Sequence, residues 1–211
     1  MNNWVTNKDI ALEMLRGAKC QIPGFQKLEE TPHFKSLNKI FLYCSGNVKT
    51  ILDLGCGCAE FGRVYKFFDY TGADLPHVIE NAAKKKNPHL KYLIFDAYNS
   101  KLEFIKNYDL IIANAFISEL SQPDIVLEKV LKNATKYIIL HRQKIHKNIN
   151  QDVSYIKYNG YLGEEYTCSI FSEEFFLSKA KEHSFVVEKA LNSGTAQEEY
   201  TILLRKDINN E

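Results

Sequence analysis

The stretch Ile51–Gly62 reads ILDLGCGCAEFG, and it indicates the fold class of the chain. An apolar strand breaks at Gly55 and Gly57 and continues into a segment of helical character. A Gly-x-Gly turn lets a ligand approach backbone N–H groups closely. In open α/β sheets this place, at the carboxyl end of a strand, is the usual ligand crevice. The stretch therefore predicts a ligand site directly after a first parallel strand.

Two phosphate-binding motifs compete for this stretch, and both lack a required residue. The dinucleotide fingerprint needs a third glycine three places after Gly57, where the chain has Glu60, an acidic side chain that would repel a pyrophosphate. The phosphate loop matches at Gly57 and Gly62 but then has Arg63 and Val64 in place of Lys and Ser/Thr. The turn therefore suits a ligand that brings no phosphate to it.

From Lys49 onward, short apolar runs alternate with segments of helical periodicity. The predicted strands are Thr50–Leu54, Thr71–Asp74, Lys91–Phe95, Asp109–Ala113 and Lys136–Leu140, and the predicted helices between them are Glu60–Phe68, Val78–Lys86 and Ile125–Asn133. Such alternation is typical of a parallel sheet covered on both faces.

Both ends of the chain add further elements to this core. Helices are predicted over Ile10–Ala18 and from Thr31 to about Gly46, and a third over Glu173–Glu182. The last two strands, Phe185–Leu191 and Glu199–Arg205, should pair antiparallel because their connection is short. The predicted fold class is a doubly wound, mostly parallel, seven-stranded α/β sheet with an antiparallel C-terminal hairpin, preceded by N-terminal helices.

Composition excludes several functional classes. With Lys+Arg 27 against Asp+Glu 26, the formal charge of the 211 residues is +1, which argues against nucleic acid or anionic lipid as a partner. No apolar run approaches the roughly 18 residues of a membrane span, and the start resembles no secretory signal, so we expect a cytoplasmic protein. The five cysteines fit reduced thiols, and Cys56 and Cys58 lack a second Cys/His pair, so no metal site is expected.

The segment Asp53–Gly57, DLGCG, resembles the first motif of the class I (Rossmann-like) S-adenosylmethionine-dependent methyltransferases. The following strand ends match the same family in order. Asp74 stands seventeen residues after Gly57, Asp96 and Ala97 end the third strand, and the fourth, YDLII, leads to Asn114. The resemblance covers roughly residues 49–141.

This resemblance implies S-adenosylmethionine as the cofactor. Its glycine turn would admit the methionine part, Asp53 would order the turn and the amino group, Asp74 would accept the ribose hydroxyls, and Asp96 and Ala97 would meet the adenine. The cofactor-binding residues implied are Asp53, Gly55, Cys56, Gly57, Asp74, Leu75, Asp96, Ala97, Asn114 and Phe116. The same aspartates can instead be simple caps or turn formers, and Phe116 can be a packing residue.

The acceptor side of the site is predicted from the ends of strands four and five. His141 is the candidate general base, since imidazole suits proton removal at neutral pH, and Glu119 is the alternative. Arg142 is a candidate for binding a carboxylate or phosphate of the acceptor, and Tyr158 and Tyr161 for stacking on it. Each has a plain alternative: a structural histidine, a solvent-facing acid, a surface cation, or tyrosines of ordinary strands.

The resulting expectation is one methyltransferase domain. Residues 1–47 form a helical cap, 48–141 the cofactor-binding core, 142–171 a candidate substrate lid and 172–211 the C-terminal helix and hairpin. The expected acceptor is a small polar molecule, a hydroxyl of a sugar or glycan precursor, because the near-neutral charge disfavours polyanions and the tyrosine-rich segment Lys144–Tyr166 suits a stacked polar ring. The run YIILHRQ, Tyr137–Gln143, is also faintly similar to small bacterial methyltransferases associated with glycan or surface-polysaccharide synthesis. The alternatives are N- or carboxyl-methylation of another metabolite and a noncatalytic cofactor-binding module. A nicotinamide-dependent reductase is disfavoured because no tyrosine has Lys four places later.

Overall fold

A sheet of nine strands forms the centre of the described part of the chain. The computed structural model describes residue 9 and residues 27–159, 165–195 and 198–207, so the predicted helix Ile10–Ala18 lies outside it. The strands are β1 (Thr50–Leu54), β2 (Asp69–Asp74), β3 (Lys91–Ile94), β4 (Leu110–Asn114), β5 (Tyr137–His146), β6 (Val153–Asn159), β7 (Glu165–Ser172), β8 (Phe185–Asn192) and β9 (Glu199–Lys206).

Seven of these strands form the predicted doubly wound sheet. The first five pair in parallel in the order β3-β2-β1-β4-β5. β9 pairs antiparallel with β5, and β8 pairs antiparallel with β9. The fold class predicted from the sequence is thereby confirmed. The direction of the strand order reverses between β1 and β4, and open α/β sheets bind ligands at such a point.

Two further strands extend this sheet. β6 and β7 form an antiparallel hairpin, and β7 pairs in parallel with the far end of β5 at Ile145 and His146. The segment 142–171, interpreted from the sequence as a candidate lid or as strands, therefore contains strands in its described part. Tyr161 lies outside the described residues.

Helices cover both faces of the sheet. They are α1 (Pro32–Cys44), α2 (Glu60–Val64), α3, built of Pro76–Val78, a π-helical turn Ile79–Ala83 and Lys84–Lys86, α4 (Pro123–Asn133) and α5 (Glu173–Glu182), and 3₁₀ turns span Leu28–Glu30, Ser45–Asn47, Glu103–Asn107 and Ile117–Glu119. Apolar residues of α1, α2 and α3 pack on one face in one buried cluster. Those of α4 and α5 pack on the other. Successive side chains of each central strand point to opposite faces of the sheet and so pack alternately into the two clusters.

Helix boundaries follow local sequence signals. α1 begins at Pro32, whose missing N–H costs nothing in the first turn, and buries Phe34, Leu37 and Ile40 at helical spacing. α5 begins after Ser172, whose Oγ accepts a hydrogen bond from the Phe175 N–H at 3.1 Å. These short-range signals explain why both helices start within one residue of the prediction.

Other boundaries depend on tertiary contacts. α2 ends at Val64 rather than Phe68, because Tyr65 leaves the helical conformation with ψ 39° and stacks on Phe41 at a ring-centroid distance of 4.0 Å. β5 runs to His146 instead of Leu140, since pairing with β9 and β7 carries the strand through polar residues.

Among the helices that the structure describes, none combines the length and apolar composition that a bilayer span requires.

Candidate active site

The glycine turn after β1 adopts the conformation that its sequence predicts. Gly55 and Gly57 have φ values of 69° and 53°, in the left-handed region that favours glycine. The Gly55 N–H donates to the Ala73 carbonyl at 2.8 Å, which ties the turn to the end of β2. Ala59 also has a positive φ, 57°, at the N-terminus of α2. A non-glycine residue in this region is strained, and such strain is commonly found at ligand sites.

Asp74 connects the turn to β2. Its Oδ2 accepts from the Gly57 N–H at 2.8 Å, and its Oδ1 accepts from the Leu75 N–H at 2.7 Å. Each carboxylate oxygen retains a further lone pair for a ligand hydroxyl. Burial raises the pKa of Asp74 to about 6, although the two backbone hydrogen bonds act in the opposite direction.

Asp53 lies beneath the turn. It is 1% exposed, and its Oδ2 accepts from the Tyr70 hydroxyl at 2.6 Å, while its Oδ1 is buried with no hydrogen-bond partner. Burial raises the pKa of this carboxyl to about 7. The carboxylate is therefore held by Tyr70 instead of by the backbone of the turn, and its second oxygen can accept a donor from a ligand.

A small cleft opens beside the turn, at the carboxyl ends of β2, β3 and β4. Its lining residues are Asp74, Leu75, Phe95, Asp96, Ala97, Tyr98, Phe116 and Leu120. Five of these are implied cofactor residues. The family resemblance does not imply Phe95, Tyr98 or Leu120, although the aromatic ring of Tyr98, directly after Asp96 and Ala97, is a usable sequence signal.

Asp96 orders the loop at the mouth of this cleft. Its Oδ1 accepts from the Tyr98 N–H at 2.9 Å and its Oδ2 from the Asn99 side-chain amide at 2.8 Å. Burial acts to raise its pKa, but these hydrogen bonds outweigh burial and the pKa is lowered. Asp96 thus performs the turn-forming role that the sequence left open, and it does so on the wall of the cleft.

Phe116 packs directly on the glycine turn. A Cβ added at Gly55 would come within 2.4 Å of Phe116 Cδ2. The ring thereby joins the ends of β1 and β4, which explains why position 55 requires glycine beyond its φ. Cys56, also an implied cofactor residue, is buried, and a Cβ at Gly72 would lie 2.8 Å from its Sγ, so its thiol packs against β2.

Asn114 and His141 are neighbours at the ends of β4 and β5. They are register partners, and the N–H of Ala115 donates to the His141 carbonyl at 2.8 Å. The Asn114 Oδ1 is buried and lacks a hydrogen-bond partner. Together with Asp53 Oδ1, this gives two buried acceptors without donors at the carboxyl ends of β1 and β4.

The environment of His141 corrects its expected role as general base. Its Nδ1 lies 2.7 Å from Thr201 Oγ1 and its Nε2 lies 3.0 Å from His33 Nδ1, and the residue is 1% exposed. Burial, with His33 and Arg142 nearby, lowers its pKa well below the usual value. Because both ring nitrogens already bond to protein groups, neither is available to an acceptor molecule in this arrangement.

Two other candidates, Glu119 and Arg142, lie in a charged group with Lys144 and Glu199, which we call the acceptor-side cluster. Burial raises the pKa of Glu119 to about 7, an effect that Arg142 and Lys144 oppose and Glu199 reinforces. Arg142 Nε lies 3.7 Å from Glu199 Oε2, and Lys144 Nζ lies 2.5 Å from the hydroxyl of Tyr158. The structure therefore brings Glu119, the alternative candidate base, to the same region as Arg142 and Tyr158, two candidates for acceptor binding.

Arg142 itself sits at an irregularity of β5. Its φ is 59°, and the register with β9 shifts between Leu140 and Gln143. β-Bulges of this kind change the direction of side chains and are common next to active sites.

No group of three or more His, Cys, Asp or Glu side chains that could hold a metal ion occurs within residues 27–159, 165–195 and 198–207.

Comparisons with known proteins place this geometry in a fold family. No family model and no curated protein matches the chain. Solved structures do match. An amino pentose methyltransferase from Micromonospora echinaspora, solved with S-adenosylmethionine bound, has a TM-score of 0.60 at 10% identity, over 84% of this chain and 92% of that one.

Two further solved structures give the same result. A sugar N-methyltransferase from Streptoalloteichus has a TM-score of 0.61 at 10% identity, covering 92% of this chain and 91% of its own. An S-adenosylmethionine-dependent methyltransferase from Clostridium acetobutylicum has a TM-score of 0.62 at 15% identity, covering 93% and 99%. With its doubly wound sheet and glycine turn, the chain has the Rossmann-like fold of the class I S-adenosylmethionine-dependent methyltransferases.

Proposed function

We propose that the protein is an S-adenosylmethionine-dependent methyltransferase that acts on a small polar acceptor. The observation that carries the proposal is the shared edge of β1, β2 and β4. There, a left-handed glycine turn, the Asp74 carboxylate and an apolar cleft adjoin two buried acceptors without donors. Such an edge suits a ligand with a ribose, an apolar base and a cationic amino group.

The residues present fit the cofactor part by part. Asp74 can accept ribose hydroxyls with its remaining lone pairs, and Phe95, Phe116 and Leu120 offer apolar surface to the adenine. Asp53 Oδ1 and Asn114 Oδ1 suit the ammonium group of the methionine part. The bound cofactor supplies an electrophilic methyl group on its sulfonium, so the protein's task is alignment and exclusion of water.

The acceptor that fits best is an amino group on a sugar-like molecule. Among the matching solved structures, one is described as an amino pentose methyltransferase and another as a sugar N-methyltransferase. The histidines at the edge are neutral and weakly basic, since burial lowers the pKa of His33 to about 4. A base this weak does not remove the proton of a sugar hydroxyl, whereas a neutral amine needs no prior deprotonation.

The sugar hydroxyl expected from the sequence is the second candidate, and one assay separates the two. Methyl-labelled S-adenosylmethionine is incubated with amino sugars such as D-glucosamine, with their nucleotide-linked forms, and with the parent sugars that carry a hydroxyl at the same carbon. We expect label on the amino sugars only, and expect transfer to survive chelator treatment. Label on the parent sugars would favour the hydroxyl.

Gly57→Val is the control for this assay, because it fills the approach to the turn. Tight binding of S-adenosylmethionine by the wild type without transfer to any acceptor would favour a noncatalytic module of this fold. Absence of binding would contradict the proposal.

A further inference from the structure

The first helix places a second histidine, His33, at the carboxyl edge of the sheet. It is the second residue of α1, and its Nδ1 lies 3.0 Å from His141 Nε2 at the end of β5. The two rings are 5.2 Å apart between centroids. His33 is 7% exposed, compared with 1% for His141. The amino-acid sequence gives no signal for this pairing, because 108 residues separate the two histidines.

A series of hydrogen bonds connects His141 through Thr201 to Ser36, and its donors and acceptors can be assigned. The Ser36 hydroxyl lies 2.9 Å from the His33 carbonyl and 2.8 Å from the Ser193 carbonyl. Carbonyls only accept, so Ser36 donates its one proton to them. Ser36 Oγ therefore accepts from the Thr201 hydroxyl, 3.2 Å away.

The same reasoning fixes the protons on both imidazoles. Because Thr201 donates to Ser36, its Oγ1 accepts from His141 Nδ1–H across their 2.7 Å contact. His141 Nε2 is then unprotonated and accepts from His33 Nδ1–H. In this arrangement one proton lies in each of the three contacts Thr201–Ser36, His141–Thr201 and His33–His141. His33 Nε2 is left as a lone-pair acceptor, and it has no hydrogen-bond partner among the described residues.

His33 remains neutral in this position. The charged or titratable groups that act on it from the described residues are Arg142 and His141, both on β5. Burial and the Arg142 charge lower the pKa of His33, so the ring is neutral at pH 7. Arg142 likewise disfavours a cationic amine at this edge, and an amine in its neutral form is the nucleophile that methyl transfer needs.

We propose that His33 Nε2 is a catalytic residue of the proposed methyl transfer: it accepts the N–H of the acceptor amine and aligns the nitrogen lone pair, with His141 and Thr201 as positioning residues. The inference rests on the proposed function. The nitrogen lone pair forms the new N–CH₃ bond as the S–CH₃ bond breaks, and that electron pair stays on sulfur as a neutral thioether. His33 stays neutral throughout, and the methylated ammonium product loses its proton to solvent.

The tautomer can be tested without any acceptor. Long-range ¹H–¹⁵N correlation spectra of the wild-type protein at pH 7 should show His33 and His141 with the proton on Nδ1. Thr201→Val removes the hydroxyl and should abolish this state at His141, whereas Thr201→Ser should preserve it. A wild-type His33 protonated on Nε2 would overturn the proposal whether or not an acceptor has been found.

Kinetics tests the catalytic part with the amino sugar that the wild type methylates fastest. His33→Asn keeps a donor near the Nδ1 position and removes Nε2, and should lower kcat about a hundredfold through loss of alignment, with cofactor Kd unchanged. His33→Gln restores a polar group near the Nε2 position and should recover part of the rate. The exposed His89→Asn is the matched control. Equal kcat in His33→Asn and wild type would overturn the inference, whereas a wild type that binds no S-adenosylmethionine would instead overturn the proposed function.

Discussion

Asp53 and Asp74 are the residues on which cofactor affinity should depend most. Both lie at the ends of neighbouring strands, and burial raises their pKa values to about 7 and about 6. Below these values each is largely a neutral acid, which attracts a cation weakly. A ligand that carries a sulfonium and an ammonium favours the ionised form of both.

We therefore predict that the affinity for S-adenosylmethionine rises as pH increases from about 5 to about 8. A raised pKa means that the carboxylates gain charge within this window, and binding of a cation becomes stronger as they do. Calorimetric titrations at several pH values measure the slope. Asp74→Asn should flatten it, and Asp69→Asn, at the exposed opposite end of β2, should leave it unchanged. A pH-independent affinity in the wild type would contradict this role.

At the residue scale, the sequence predicts those positions whose conformation is set within one local motif. Gly55, Gly57 and Asp74 follow from the spacing within and after one turn. Sequence reasoning failed for His141, because whether an imidazole is free depends on Thr201 and His33, which lie 60 and 108 residues away. Contacts of this kind are not visible in the periodicity of one sequence.

Among the elements, α2 shows how a glycine can serve packing instead of ligand binding. Gly62 matched a phosphate-loop spacing in the sequence, but it lies inside this short helix against β2. A Cβ there would be 2.5 Å from both the Tyr70 ring and the Leu90 side chain. The close approach of helix and sheet accounts for the glycine without any phosphate.

Gly62→Ala should therefore lower the free energy of unfolding by about 1–3 kcal/mol, the usual cost of overpacking a well-filled core. Gly46→Ala is the matched control, since nothing lies within 4 Å of a Cβ at that position. It should change stability by less than about 0.5 kcal/mol. Chemical denaturation of both variants makes the comparison. Equal stability of Gly62→Ala and wild type would show that the packing between α2 and β2 is looser than described.

The strands of the core were predictable because they are nearly continuous apolar runs. β1 matches its predicted bounds, and the helix Glu173–Glu182 does as well. The second half of β5 was not predicted, since residues such as Gln143 and Lys144 carry no apolar periodicity. They are in a strand because β9 pairs with them from the other side of the chain.

On the scale of the whole molecule, the cleft, the histidine pair and the acceptor-side cluster all lie at the carboxyl edge of one sheet. The cleft is on the side of β2 and β3, and the cluster is on the side of β5 and β9. Tyr155 of β6 donates to the Ser121 carbonyl at 3.3 Å, and Tyr98 of the cleft contacts the hydroxyl of Ser121 at 2.9 Å. The hairpin of β6 and β7 is thus linked to the cleft through Ser121.

The central claim is that this edge binds S-adenosylmethionine, and isothermal titration calorimetry tests it most directly. Wild-type protein and Gly57→Val are each titrated with S-adenosylmethionine, S-adenosylhomocysteine and NADH, and thermal unfolding confirms that the variant is folded. The account predicts that the wild type binds the first two ligands, that it does not bind NADH, and that Gly57→Val binds none, because a side chain at position 57 occupies the approach to the turn. Unchanged affinity in Gly57→Val, or binding of NADH in place of S-adenosylmethionine, would contradict it.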